Sequence, residues 1–183
     1  VLPGSRRDEV VARVEATCRT GRQAYWVCPL IDESEDLPQQ AAEETAAALG
    51  AALPSVRVGL VHGRMPGPRK DRVMSAFKQG QLDLLVATTV IEVGVDVPNA
   101  SLMIIENAER MGLSQLHQLR RRVGRGSVES TCVLLYAAPL TAVARDRLAV
   151  LRDTSDGFEV ARRDLELRGP GELLGTRQTG LMQ

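Results

Sequence analysis

Apolar positions along the chain follow two alternating periods. Five runs are almost continuously apolar: AYWVCPLI (Ala24 to Ile31), VRVGLVH (Val56 to His62), LDLLVAT (Leu82 to Thr88), ASLMIIE (Ala100 to Glu106) and TCVLLY (Thr131 to Tyr136). Runs of that length without polar alternation read as strands buried on both faces. Helical spacing fills the gaps. Ser5 to Asp8 reads as a capping box before Val10, Val11 and Val14, with Gly21 closing the segment. Pro38 can open an alanine-rich helix ending near Gly50, and Pro68 another that Gly80 stops. Ser114 is a candidate N-cap for a short helix with Leu116 and Leu119 on its apolar stripe, broken by Gly124 and Gly126. The alternation predicts an α/β fold, a parallel sheet of five or six strands flanked by helices. Beyond Tyr136 the pattern changes. Val143, Leu148 and Leu151 mark a helix from Thr141 to Arg152, and Phe158 to Leu165 a second, so a helical hairpin is expected before a glycine-rich loop, GPGELLGTRQTGLMQ. The division predicted is 1–138 for the sheet domain and 139–183 for hairpin and loop.

Composition narrows the partners. With 183 residues, 44% of them apolar, the chain can bury a core of one domain plus an appendage. A formal net charge of zero argues against polyanion binding by the whole surface, so phosphate contacts must be local. Positive charge is almost all guanidinium, since Lys70 and Lys78 are the only lysines. Cys18, Cys28 and Cys132 are odd in number and widely spaced, which suits buried free thiols in a reducing compartment. No signal peptide or membrane-length apolar run is present, and a cytoplasmic protein without a membrane partner is expected. The chain starts at Val-Leu-Pro without a methionine and is expected to be part of a longer protein.

Candidate chemistry concentrates in LSQLHQLRRRVGRG, Leu113 to Gly126. Arg120, Arg121, Arg122 and Arg125 lie so close together that anionic groups, phosphates above all, are their expected partners. Arg122 and Arg125, three apart, share a face if the helix persists that far. Guanidinium suits a transferring phosphoryl group because it is planar, forked and always charged. Ligands of open parallel sheets lie beyond the carboxyl ends of the strands. After the second run stands His62-Gly63-Arg64-Met65, where Gly63 permits close backbone approach to a phosphate. After the third stands TTVIEVGVDVPNA, with hydroxyls on Thr88 and Thr89, close packing allowed at Gly94, and a carboxylate at Asp96 for a ribose or an arginine.

These residues carry a resemblance. Gln118, Arg122, Gly124 and Arg125 resemble the sixth motif of superfamily 2 helicases, Q-x-x-G-R-x-G-R; residues 88–100 resemble the fifth, and HGRM and LHQ fit the RecG family of DNA branch-migration helicases. Asp156 to Gly180 resembles the hairpin and loop that RecG shares with the coupling factor Mfd. The resemblance implies a second RecA-like motor domain. ATP and Mg2+ would then be bound mainly by a first RecA-like domain of the same protein, with an upstream wedge domain and branched DNA as the other partners. It implies nucleotide contacts at Gly94, Asp96, Gln118, Arg122 and Arg125, the last two being catalytic. DNA or translocation contacts are implied at His62, Gly63, Arg64, Thr88, Thr89, Arg168, Arg177 and Gln178, with Arg162 and Arg163 able to follow the phosphate backbone beside them.

Two other signatures fail on context. LIDESE, Leu30 to Glu35, resembles a magnesium-binding strand end, yet no G-x-x-x-x-G-K-[ST] cradle exists in the chain, so Asp32 and Glu33 are read as the acidic end of the fourth motif and no metal site is expected. GPGELLG lacks the strand before and the acid after that a dinucleotide fingerprint needs. The readings left open beside a RecG-type helicase are an Mfd-like duplex translocase and a catalytically silent DNA-binding module. Arg121 stands where the family has glycine, and an arginine there is expected to strain the backbone or crowd a neighbour.

Overall fold

The computed structural model describes residues 1–29, 37–88, 97–124 and 126–168, with side chains of residues 37 and 38 left aside. Six parallel strands form one sheet in the order β1-β6-β5-β2-β4-β3. They are β1 (Leu2–Pro3), β2 (Gln23–Cys28), β3 (Val58–Val61), β4 (Leu84–Thr88), β5 (Ala100–Ile105) and β6 (Thr131–Tyr136). The helices are α1 (Arg7–Arg19), α2 (Leu37–Ala52), α3 (Gly67–Lys78), α4 (Leu113–Arg120), α5 (Ala142–Asp153) and α6 (Gly157–Arg168). Five strands sit within the five apolar runs, trimmed at their ends except in β6, and β2 begins one residue early at Gln23. The sixth, β1, is a two-residue edge strand in register with Leu135 and Tyr136.

Every residue of β2 and β4 is buried. Side chains alternate between the two faces of a pleated strand, and the sequence obeys this residue by residue. Tyr25, Val27, Leu85, Met103 and Ile105 point into one core with Phe77, Leu113 and Leu116. Ala24, Trp26, Leu84, Val86, Leu102 and Ile104 point into the other with Val10, Val14, Ala42, Leu49 and Leu53. Helices α1 and α2 thus cover one face, and α3, α4 and the hairpin cover the opposite one. Phe77 is fully buried and meets Tyr25 edge-on, ring centroids 5.0 Å apart.

Helix boundaries follow local chemistry, with two departures from expectation. Asp8 and Glu9 lie in the first turn of α1 and Arg19 in its last, complementing the helix dipole, and Gly21 at φ +81° ends the segment. The expected capping box at Ser5 to Asp8 does not form, because a 3-10 turn at Gly4–Arg6 leads into α1 and its N-cap, Arg6, makes no side-chain cap. Pro68 lies in the first turn of α3, and Gly80 at φ +76° follows its end. Ser114 is not the N-cap of α4. That position is Gly112, and the Ser114 hydroxyl instead donates to Asp164 Oδ2 at 3.2 Å.

Helices α5 and α6 form the expected hairpin. Thr141 caps α5 by accepting from the Ala144 amide at 3.1 Å. Leu148, Leu151 and Val160 join the same core as Leu113 and Leu116. Val143, which the sequence period grouped with Leu148 and Leu151, points outward at 47% exposure, and so do Phe158 and Leu165, the expected bounds of the second helix, at 89% and 54%. Periodicity located the helices there, while Ala144 and Val160 supply the inward face.

Candidate functional site

The chain runs from β2 out to the edge strand β3, back to β4, and then crosses β2 to reach β5. The carboxyl ends of β4, β2 and β5 therefore lie side by side, at the edge where ligands of open parallel sheets bind. Residues 88–99 leave β4 there, and 106–112 leave β5. Thr88 is paired with Cys28, and Val61 with Ala87, so His62 lies level with Thr88 along this edge.

Three side-chain atoms in these segments are buried with no hydrogen-bond partner: His62 Nδ1, Thr88 Oγ1 and Glu109 Oε2. Natural proteins leave few such groups unpaired, and all three stand on segments at the carboxyl edge of the sheet. His62 is 7% exposed, and its Nε2 stands 3.2 Å from Glu43 Oε1. The ring is therefore a wall behind the loop. Gly63 and Arg64 are exposed, and the loop closes through Met65 N–H donating to His62 O at 3.2 Å, with the buried Met65 side chain as anchor.

Beside this edge Glu106 organises a second group. Arg7 Nε donates to Glu106 Oε1 at 2.7 Å while its guanidinium lies 5.0 Å over the Trp26 ring, and Cys28 Sγ is 3.9 Å from Glu106 Oε2. Burial and the nearby carboxylate push the Cys28 thiol up to about 12. The sequence reading missed this cluster, because a lone glutamate after a strand carries no pattern.

The arginine segment begins at the end of α4 and divides into distinct roles. Arg120 does not face phosphate: its Nη1 donates to Leu151 O at 2.7 Å and Thr154 O at 2.9 Å, and its Nη2 to His117 Nδ1 at 2.9 Å. It satisfies carbonyls at the end of α5 that no intrahelical donor reaches. Arg147 ties the same helix back, donating to Met111 O at 3.0 Å. Burial first, then Arg120 and Arg121, lower the His117 pKa. Arg121 is the C-cap of α4 at φ −72° and ψ −7°, an ordinary right-handed conformation, and it is exposed. The expected strain at this position is absent. Arg122, half-buried, follows in a turn with its N–H on Leu119 O at 2.9 Å.

Because α4 stops at Arg120, the helical face that was to align Arg122 with Arg125 does not exist. Gly124 lies at φ +82°, and a Cβ there would collide with Ser130 Oγ. At Gly126 a Cβ would come 3.2 Å from Pro98 O, so the sixth-motif loop packs against the end of the fifth-motif segment. Thr89, Gly94, Asp96, Arg125, Arg177 and Gln178 lie outside the described residues, as do Asp32 and Glu33.

Gln118 is exposed and lines a cleft of about 760 Å³ between α4 and the start of α6, together with Arg121, Asp156 and Phe158. Arg162 and Arg163 are on helix α6 and not on a loop, both paired with Glu159 and Glu166. Arg168, at the end of α6, pairs with Asp164 at 2.9 Å. Among the described residues no group of three His, Cys, Asp or Glu could hold a metal ion, and no helix is long and apolar enough to cross a membrane.

The chain with this parallel sheet and arginine segment matches the model of the helicase conserved C-terminal domain over residues 8–127. The chain belongs to that helicase domain family. Residues 154–183 also match the C-terminal part of domain 3 of the ATP-dependent DNA helicase RecG. The chain is 67% identical over 180 residues to the ATP-dependent DNA helicase RecG of Escherichia coli K12, covering 98% of this chain and 26% of that protein. It is 64% identical over 183 residues to RecG of Acidithiobacillus ferridurans, covering 100% of this chain and 27% of the relative. The chain thus spans about a quarter of the length of these relatives. A solved structure of RecG bound to a three-way DNA junction superposes with a TM-score of 0.78 at 45% identity, covering 94% of this chain and 22% of that one. The yeast DEAD-box splicing factor Prp28 shares the fold alone, with a TM-score of 0.61 at 16% identity over 96% of this chain and 36% of that one.

Proposed function

We propose that this chain is the second motor domain of a RecG-type ATP-dependent DNA helicase that remodels branched DNA such as stalled forks and Holliday junctions. The observation that carries the reading is the likeness to RecG proteins, which runs unbroken from sheet to hairpin at up to 67% identity. It favours this function over an Mfd-like translocase or a silent module.

ATP with Mg2+, held mainly by a first motor domain, supplies the phosphoanhydride to be cleaved. The half-buried Arg122, just past the end of α4, is a charged donor that suits a nucleotide phosphate. In this reading Arg122 and Arg125 neutralise charge developing on the γ-phosphoryl oxygens, acting across the cleft. Gln118, Gly94 and Asp96 contact the nucleotide. Thr88 and Thr89 present hydroxyls and amides to one DNA strand, and Gly63 and Arg64 hold the backbone in front of His62. Closing and opening of the cleft move the two domains along DNA. The 139–183 element, ending in Arg168, Arg177 and Gln178, transmits that motion to the duplex.

The test is Arg125→Ala in the intact protein. Loss of an arginine finger costs about 10³- to 10⁵-fold in phosphoryl transfer with far less effect on ground-state nucleotide binding. DNA-stimulated hydrolysis should collapse while binding to a three-way junction persists. Hydrolysis within about threefold of wild type would remove the finger assignment.

A further inference from the structure

Helix α6 carries an apolar stripe that the other described residues leave exposed. Phe158, Ala161 and Leu165 follow at i, i+3 and i+7, the spacing of one helix face, and all three are exposed, Phe158 at 89%. Val160, on the opposite side, is the residue that anchors α6 in the core. The stripe opens at its Phe158 end into the cleft of about 760 Å³, whose floor is Val160 and whose far wall is Gln118 and Arg121 of α4.

We infer that this stripe and cleft are the docking surface for the preceding motor domain of the same protein, with Phe158 as the anchoring side chain. The inference rests on the two-motor reading above. Three observations choose this occupant. The RecG relatives named above carry nearly three quarters of their length outside the region this chain matches, and the two-motor reading places a covalently joined partner there. Gln118 and Arg121 belong to the same motif-six segment as Arg122, so a domain delivering nucleotide to that segment must approach beside the cleft. Both signs flank the surface: Asp156 and Arg121 line the cleft, and along α6 Arg162 pairs with Glu159 and Glu166. A surface that follows a phosphate backbone carries cations and neutral donors and few carboxylates, whereas an aromatic anchor inside a rim of both signs is the anatomy of a protein interface.

Hydroxyl-radical footprinting read by mass spectrometry tests this on wild-type protein. Phe158 oxidation is compared in the 183-residue chain and in the intact protein, each with and without a non-hydrolysable ATP analogue and with and without a three-way DNA junction. Burial in an interface core predicts oxidation about tenfold lower in the intact protein with the analogue and no DNA. Equal oxidation in both proteins overturns the inference. So does protection already present in the isolated chain, which would mean that the chain covers its own stripe. Protection only when junction DNA is added assigns the surface to DNA and overturns it too. Phe158→Glu gives an independent reading: melting of the 183-residue chain should stay within about 2 °C, since the side chain is exposed, while the KM for ATP of the intact protein rises. An unchanged KM overturns the anchor role. DNA-stimulated hydrolysis by the wild type in the same samples reports on the motor reading separately, so an active enzyme with a freely oxidised Phe158 sinks the docking surface alone.

Discussion

Removing Arg120 should unlatch the hairpin from α4. Its guanidinium makes two bonds to backbone carbonyls, at 2.7 and 2.9 Å, plus one to His117 at 2.9 Å. Hydrogen bonds from a charged donor contribute about 1.5–3 kcal/mol each when fully buried. Arg120 is half-buried, and water can reach part of the vacated space, so Arg120→Ala should cost about 2–4 kcal/mol in total. For a domain of this size each kcal/mol lowers the melting temperature by about 2–4 °C, giving a drop of about 5–15 °C. Thermal unfolding of the 183-residue chain followed by circular dichroism reads this directly. Arg120→Lys, with a single mobile ammonium, should recover about half of the loss. A drop smaller than about 2 °C for Arg120→Ala would refute the latch and return Arg120 to the pool of phosphate ligands.

Three further outcomes are expected. Because the folded state lowers the His117 pKa from its ordinary 6.5, the unfolded chain takes up that proton first; stability is full above pH 6.5 and falls as pH drops below it, until the folded imidazole also protonates. His117→Gln keeps an acceptor for Arg120 and should flatten melting temperature against pH between about 7.5 and 5.5; an unchanged slope removes the assignment. Burial raises Cys18 to about 11 and Cys28 and Cys132 to about 12, so a thiol-specific disulfide reagent at pH 8 should find no fast-reacting thiol until the chain is unfolded, when three appear. Gly124→Ala places a side chain at φ +82° against Ser130 and should cost about 1–2 kcal/mol in urea unfolding, part of it regained on adding Ser130→Gly; a neutral Gly124→Ala would refute the reading.

The sheet was legible because burial on both faces removes polar residues from β2 and β4, leaving runs no other element explains. Leu2–Pro3 escaped because a two-residue edge strand has no period to detect. Gln23 escaped for a different reason: it is 3% exposed, yet its amide is satisfied by the carbonyls of Phe77 and Leu82 at 2.6 and 2.7 Å, partners that only folding brings near. Spacing grouped Val143 with Leu148 and Leu151, yet a helical period does not say which residue at its margin reaches the core, and Val143 is 47% exposed. The arginine run was visible as charge, but charge does not tell which cation serves the protein's own carbonyls. Arg120 does so; Arg122 lies beyond the helix end.

The hairpin shares one apolar core with the sheet, through Leu148, Leu151 and Val160. It therefore has no soft joint of its own. A load applied at α6 is borne by the same packing that holds Tyr25 and Phe77, and yielding there would require melting the domain. Such packing makes the described sheet and hairpin one stiff lever, and in the two-motor function proposed above the compliance of a ratchet would reside outside it.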